Sequence, residues 1–277
     1  MIEELNPIQK NLLEIFKWFD AFCRQNELRY YAIGGTLLGT LRHKGFIPWD
    51  DDLDVGMPRK DYELFMKLMN GRQGRYQYET IYSTEKDFCY SMGKLYDTRT
   101  TLVEQRRRTV KRGLYIDIFP IDGLCNKKEE AKNAYSPIKW RLVFHEAMVT
   151  CTREGRNFWK NAFIQCTHLL PEFLFSSRDL RIKIDNMCAV HDFDLYQYGG
   201  NLLGTKFDGE VVPLKWFGKA KEADFEDMKV FIPEDSVSYL QHIYGNWEEL
   251  PPNEKQVTAH DFVSCDLNKS YVDLSNN

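Results

Sequence analysis

Asp52 and Asp54 stand two residues apart in the run Asp52-Leu53-Asp54-Val55. Side chains at i and i+2 of a strand leave the same face, so the alternation predicts a strand with both carboxylates on one surface and Leu53 and Val55 turned into a core. Adjacent carboxylates repel and raise each other's pKa, and a Mg²⁺ or Mn²⁺ ion between them offsets that repulsion through the hard oxygen ligands it prefers. Asp117 lies between Ile116 and Ile118 in the run LYIDIF. A carboxylate in that setting is hard to explain as structure, because burying it without a partner is costly. The same alternation can bring Asp117 beside the first pair as a third ligand, and three carboxylates can hold two ions. Two ions clamp the attacking and leaving oxygens of an in-line displacement at phosphorus, and one of them acidifies the attacking hydroxyl. The chemistry expected is divalent-metal-dependent phosphoryl-group transfer.

Such chemistry also needs a phosphate cradle. Gly34-Gly35, between a strand pattern and a helix pattern, lets backbone N–H groups approach a phosphate with the positive end of the helix behind them. Arg42, seven residues beyond Gly35, can add charge-assisted hydrogen bonds. Taken singly, a Gly-Gly pair is a tight turn and Asp50-Asp51-Asp52 is a solvated loop or a cap; it is their order together with Asp117 that makes the combination functional. Asp50 and Asp51 are read as supporting residues, with Asp51 facing away from Asp52. Lys94, in SMGKLYD, is open between a donor-phosphate contact and a surface lysine, and Trp49 between stacking on a base or sugar and core packing. The run Arg106-Arg107-Arg108 with Lys111 and Arg112 either lines a site for an anionic donor or lipid phosphate or forms a solvated loop.

These residues must be carried by elements. Ile8, Leu12, Ile15, Phe16, Phe19 and Phe22 recur at helical spacing and predict an amphipathic helix over 7–25, followed by a buried strand over 28–33. A helix is expected over 36–42 with Thr36 as its cap, and another after Pro58, with Tyr62, Leu64, Phe65, Leu68 and Met69 as its apolar face and Gly71 at its end. Further strands are expected over 75–103, and a short strand over 114–119 closed by a turn at 120–123. Long helical patterns fill 126–198, a helix is expected over 236–244, and a polar tail follows Asp261. The fold class is α/β (α+β), with a mixed-sheet catalytic core over 1–125, a helical insertion or lobe over 126–200, and a mixed segment over 201–277 that completes the site.

At 277 residues and 43% hydrophobic content the chain can bury a substantial core. Its net charge of -4 gives no general attraction to nucleic acid or anionic lipid, and no nucleic-acid partner is expected. Glu3, Glu4 and Pro7 near the start argue against a secretory leader, and seven cysteines without a Cys-x-x-Cys pair argue for reduced thiols in the cytoplasm. The apolar stretch 158–175 is broken by Lys160, Gln165, His168, Pro171 and Glu172, which predicts a buried or interfacial helix and not a membrane span.

The run YAIGGTLLGTLRHKGFIPWDDDLDVGMPRKDY from Tyr31 resembles the LicD family, as do GLYIDIFPIDG at 113–123 and YGNWEELPP at 244–252 followed by Lys255 and His260. The resemblance implies a nucleotidyltransferase-like fold, in which Gly34, Gly35 and Thr36 hold donor phosphates, Asp52 and Asp54 ligate metal, and Asp117 completes the site and helps deprotonate the acceptor. It also brings His260 into reach of donor or acceptor. The implied activity is transfer of phosphocholine from CDP-choline to a sugar of teichoic acid or lipopolysaccharide, with two Mg²⁺ or Mn²⁺ ions, CMP as leaving group and a glycan or lipid-linked acceptor. The alternatives are ribitol- or glycerol-phosphate transfer from a CDP-linked donor, nucleotidyl transfer, and a silent binding protein of the same fold. The helices over 138–175 add an expected peripheral contact with the inner face of the plasma membrane.

Overall fold

The computed structural model describes residues 5–83, 88–171, 175–258 and 262–272. Helix α1 (Pro7–Gln25) begins at a reciprocal cap, in which Gln9 N–H donates to the Asn6 side chain (2.9 Å) and Asn6 N–H donates to Gln9 Oε1 (3.2 Å). Its buried stripe of Leu12, Ile15, Phe16, Phe19 and Phe22 packs into the main core. Strand β1 (Tyr31–Ala32) is shorter than the expected 28–33, and helix α2 (Gly34–Arg42) follows almost at once. Thr36 does not cap α2: the cap position is Ile33, which has no side-chain acceptor, and Thr36 lies buried within the first turn.

Strand β2 (Asp54–Pro58) runs directly into helix α3 (Arg59–Met69). Helix α3 buries Tyr62, Phe65 and Met69, whereas Leu64 and Leu68 are exposed. Both leucines fall outside the i, i+3, i+7 stripe set by Tyr62, so they share its composition but not its face. Strand β3 (Tyr76–Glu79) and the long strands β4 (Gly93–Gln105) and β5 (Thr109–Cys125) complete the central sheet. The expected turn at 120–123 is part of β5. Asp117 N–H donates to the Leu53 carbonyl (2.9 Å), so alternation places the nitrogen of Pro120 on the opposite side, where pairing with β4 stops at Ile118. A proline costs no ladder bond there.

Helices α4 (Lys128–Val149), α5 (Phe158–His168) and α6 (Ser177–Cys188) follow, and α4 and α6 contribute Tyr135, Ile138, Leu142 and Ile184 to the same core as the sheet. Short strands β6 (Tyr198–Gly200) and β7 (Val212–Pro213) extend from the far end of β5. A hairpin of β8 (Lys221–Phe225) and β9 (Met228–Ile232) and helix α7 (Ser236–Tyr244) come next. The segment expected as a polar tail contains β10 (Phe262–Asp266), which pairs with β4. The sheet order is β1-β2-β5-β4-β10, with β2 and β5 parallel and β5 and β4 antiparallel, so the fold is mixed α/β. Among the described residues no helix is long and apolar enough to cross a membrane, although α5 leaves Phe158 and Trp159 more than 70% exposed, at 72% and 76%.

One buried ion network ties strands β2 and β5 to the helices. Arg59, at the junction of β2 and α3, makes a bidentate pair with Asp122 of β5 (2.7 Å for both bonds) and reaches Asp185 of α6 (2.9 Å), whose other oxygen accepts from the Tyr82 hydroxyl (2.7 Å). Removing the cation strands two carboxylates in the interior. Arg59→Ala is therefore expected to lower the free energy of unfolding by about 3–5 kcal/mol in a denaturant titration, and a loss under about 1 kcal/mol, the size of an exposed ion pair, would show that the network is not holding these elements.

Candidate active site

The parallel register of β2 and β5 sets Asp54 directly opposite Asp117, and the antiparallel register of β5 and β4 sets Asp117 opposite Lys94. In-register neighbours share a face, so the three side chains form one row across three strands. Asp52 precedes the first strand residue by two positions. The expected strand over Asp52 starts only at Asp54, yet Leu53 is buried and its carbonyl already takes the Asp117 N–H, so the alternation that separates Leu53 from its neighbours is preserved. Asp52, Asp54, Asp117, Lys94, Gly34 and Gly35 all line one cleft of about 470 Å³.

The segment carrying the acids is held from both sides. Gln9, already part of the α1 cap, donates from Nε2 to the Asp50 carbonyl (2.9 Å), and Glu226 in the β8–β9 turn accepts from Phe46 N–H (2.9 Å). From beneath, the Thr36 hydroxyl accepts from Asp54 N–H (2.7 Å). Thr36 thus does not face the cleft as a phosphate ligand; it fixes the backbone of Asp54. Gly34 has φ +54°, and a Cβ on it would meet Asp54 Oδ2 at 3.1 Å, while one on Gly35 would meet Asp50 Oδ2 at 2.8 Å. Glycines here let the uncapped N-terminus of α2 close on the carboxylates.

Electrostatically the site is short of positive charge. Burial, then Asp52, Asp117 and Asp50, push the Asp54 carboxyl well up, with Lys94 opposing. The Asp117 carboxyl is also raised by burial and pulled back by Lys94, whose Nζ is 2.5 Å from Asp117 Oδ1. Lys94 is no surface lysine: it is 2% exposed, with its ammonium 3.4 Å from the centre of the Tyr115 ring and 4.2 Å from that of Tyr90. Among the described residues no three histidine, cysteine or carboxylate side chains already converge as a ready-made cage for an ion. The donor set nonetheless fits a hard divalent cation: four aspartates, 50, 52, 54 and 117, border the cleft with Glu210, against Lys94, Arg106 and Lys206, and a cation would supply the missing positive charge.

Arg42 lies elsewhere. Its guanidinium donates to the carbonyls of Trp247 (3.0 Å) and Glu249 (3.1 Å), beside Trp49 in a separate hollow. Seven residues of helix carry it about 11 Å from Gly35, toward the wrong end of α2 for a phosphate at the N-terminus. His260 falls outside the described residues. Asp51 does not line the cleft, whereas Asp50 does, contrary to the supporting role expected of it.

Several cleft residues escaped the sequence reading. The segment after β6 brings Asn201, Lys206 and Glu210, and α7 brings Tyr239 and Tyr244. Asn201 is buried with its Oδ1 lacking a protein partner, and burial raises the Glu210 carboxyl to about 7. No strand or helix periodicity marks 201–210; the clustering of Gly204, Lys206 and Glu210 was the sole signal.

A family-level match agrees with this geometry. Residues 27–158 match the family described as LicD/FKTN/FKRP, nucleotidyltransferase domain. Over 259 residues the chain is 30% identical to the lipopolysaccharide cholinephosphotransferase LicD of Haemophilus influenzae, covering 90% of this chain and 92% of that protein. The chain belongs to the LicD family. Shorter likenesses within this LicD-family chain are to an uncharacterized protein of Rickettsia typhi, 37% identical over 21% of this chain and 19% of the relative, and to Mannosyltransferase regulator 4 of Saccharomyces cerevisiae, 25% identical over 49% of this chain and 12% of the relative.

Glu210 yields a test of the cleft's interior. A carboxyl raised on folding adds stability below its free value near 4.5, and that stability is lost as pH rises through about 7. Glu210→Gln is expected to flatten the pH dependence of unfolding free energy across that window. An unchanged profile in urea titrations at several pH values would show that Glu210 is not desolvated.

Proposed function

We propose that this chain transfers phosphocholine from CDP-choline to a sugar hydroxyl of a cell-surface glycan precursor such as lipopolysaccharide or teichoic acid. The observation that carries the reading is the row Asp54–Asp117–Lys94, with Asp52 beside it, facing the glycine-opened N-terminus of α2, in a chain alike over 90% of its length to a cholinephosphotransferase. Asp52, Asp54 and Asp117 would hold one or two Mg²⁺ or Mn²⁺ ions, which when bound supply Lewis acidity and charge neutralisation at the donor diphosphate.

This chain's own residues account for the rest. The first N–H groups of α2, around Gly34 and Gly35, bind phosphate oxygens at the positive helix end. Lys94 holds Asp117 in place and adds positive charge on the β4 side. The acceptor oxygen forms a bond to the choline-bearing phosphorus as the bond to CMP breaks, and the hydroxyl proton passes to a carboxylate. Asp117 and Glu210 are the candidates, and Glu210, raised to about 7, is matched to neutral pH as a base. Phe119, Tyr239 and the half-buried Tyr244 line the cleft, aromatic side chains of the kind that attract a quaternary ammonium by cation–π contact, which supports choline over a polyol. The exposed Trp140, Phe158, Trp159 and Leu169 support peripheral contact with a membrane that carries the acceptor.

Asp52→Asn, Asp54→Asn and Asp117→Asn are each expected to reduce CMP release from CDP-choline by about two to three orders of magnitude with the fold retained, while Asp51→Asn is mild. Release from CDP-ribitol or CDP-glycerol but not CDP-choline would replace choline with a polyol, pyrophosphate release from CTP would mean nucleotidyl transfer, and full activity in Asp54→Asn would remove the mechanism.

A further inference from the structure

A second cavity, of about 240 Å³, opens where the tip of the β4–β5 hairpin meets the ends of three helices. Arg107 N–H donates to the Val149 carbonyl at the end of α4 (2.7 Å), and its guanidinium donates to the His168 carbonyl at the end of α5 (3.1 Å). The hairpin tip is thereby pinned against helix ends that carry partial negative charge. From the other side comes the start of α6, capped by Ser176, with Ser177, Arg178 and Arg181 turned to the cavity.

The lining is strongly one-signed. Five arginines, 106, 107, 108, 178 and 181, border the cavity, and among the described residues no carboxylate does, although Arg106 itself pairs with Glu146 (3.1 Å). Arg181 is 5% exposed, and its bonds among the described residues go to neutral groups, the Tyr90 carbonyl (3.1 Å) and, more weakly, that of Ser177 (3.4 Å). A buried guanidinium against neutral partners is an unusual expense unless an anion completes it. Burial lowers Arg181 to about 10, opposed in part by Cys89, with Arg178 adding a smaller push in the same direction as burial. Behind the wall, burial and then Arg181 and Arg106 push His145 down to about 3, and its Nε2 has no partner.

Arg106 also lines the aspartate cleft, so the two cavities share a wall. The volume is below the roughly 300 Å³ at which pockets for drug-sized ligands begin, which suits one charged headgroup. Guanidinium groups match phosphate oxygens in fork geometry. The exposed Phe175, with Met148 and Val149, adds apolar surface to the lining.

We propose that this arginine pocket binds a phosphate ester carried by the acceptor, docking it so that its sugar hydroxyl reaches the adjoining aspartate cleft across Arg106. The identity of the ligand as acceptor rests on the transferase reading above; the binding of phosphate does not. The acceptor is thus a phosphorylated glycan or a glycan on a lipid phosphate, and the reaction that supplies it must leave that phosphate in place.

The test uses the full chain without divalent metal, titrated calorimetrically with inorganic phosphate and with glycerol 3-phosphate. Arg107→Gln/Arg178→Gln is chosen because Arg178 is exposed and Arg107 only half-buried; the change gives up the Arg107 bond to the His168 carbonyl but keeps the backbone bond to Val149 that holds the hairpin tip, and an unchanged circular dichroism spectrum and melting temperature verify that the fold is retained. The double variant is expected to bind both anions at least about tenfold more weakly, while Asp54→Asn binds them as the parent does. In turnover assays the same double variant should show a raised acceptor KM with CDP-choline hydrolysis in water unchanged. Cosedimentation with phosphatidylcholine vesicles containing phosphatidic acid, lost in the double variant, assigns the phosphate to a lipid; binding of the soluble ester without vesicle retention assigns it to the glycan. Equal anion affinity in parent and double variant, or no anion binding at all, would overturn the pocket. Neither result alters what Asp54→Asn says about the transferase chemistry.

Discussion

Carboxylates forced into register on adjacent parallel strands are the constraint around which this molecule is arranged. Asp54 and Asp117 face each other across the β2–β5 ladder, with Asp52 and Asp50 close enough to raise Asp54 further and Lys94 as the cation paired with Asp117. Spacing between neighbouring strands is fixed by backbone hydrogen bonds at about 4.8 Å, so the chain cannot relieve the repulsion by moving the acids apart. It must protonate one of them, or accept a cation. Like-charge crowding of this sort destabilises the fold and persists where a site needs it.

The surrounding structure holds the acids against that repulsion. Gln9 and Glu226 grip the backbone of the acidic segment from α1 and from the β8–β9 turn, and Thr36 takes the amide of Asp54 from below. Farther off, Arg59 locks the end of β2 to β5 and α6. These contacts reach from one end of the chain to the other, which is why the α/β core folds with its helices as one body of packed side chains. The glycine pair complements these contacts by removing side-chain bulk where the helix terminus has to approach the same acids.

Much of this was legible in the sequence because it rests on short-range periodicity. The 7–25 stripe predicted α1, the alternation around Asp54 and Asp117 predicted two strands, and the quoted motifs pointed to the LicD family. What failed was governed by tertiary partners. Thr36 has the chemistry of a cap, but Asp54 N–H claimed its hydroxyl; Arg42 has the charge of a phosphate ligand, but helix rise carried it to the Trp247 loop. Pro120 looked like a turn because nothing local reveals that β4 has already ended beside it. Lys94 stayed open between a donor-phosphate contact and a surface lysine because its burial depends on rings of Tyr90 and Tyr115 that come together only in the sheet. Asn201 and Glu210 sit in a segment without periodicity, and their place in the cleft follows from how β6 attaches to β5.

Whether these aspartates are a cation site and not merely a crowded surface is measured most directly by titration calorimetry with Mn²⁺. Binding to the parent chain is expected, and it should be lost in both Asp54→Asn and Asp117→Asn. The heat of proton release should grow as pH falls, because a raised Asp54 carboxyl must give up its proton to the ion. Mn²⁺ binding that is absent from the parent, or that survives unchanged in both variants, would contradict a cation site built from these acids.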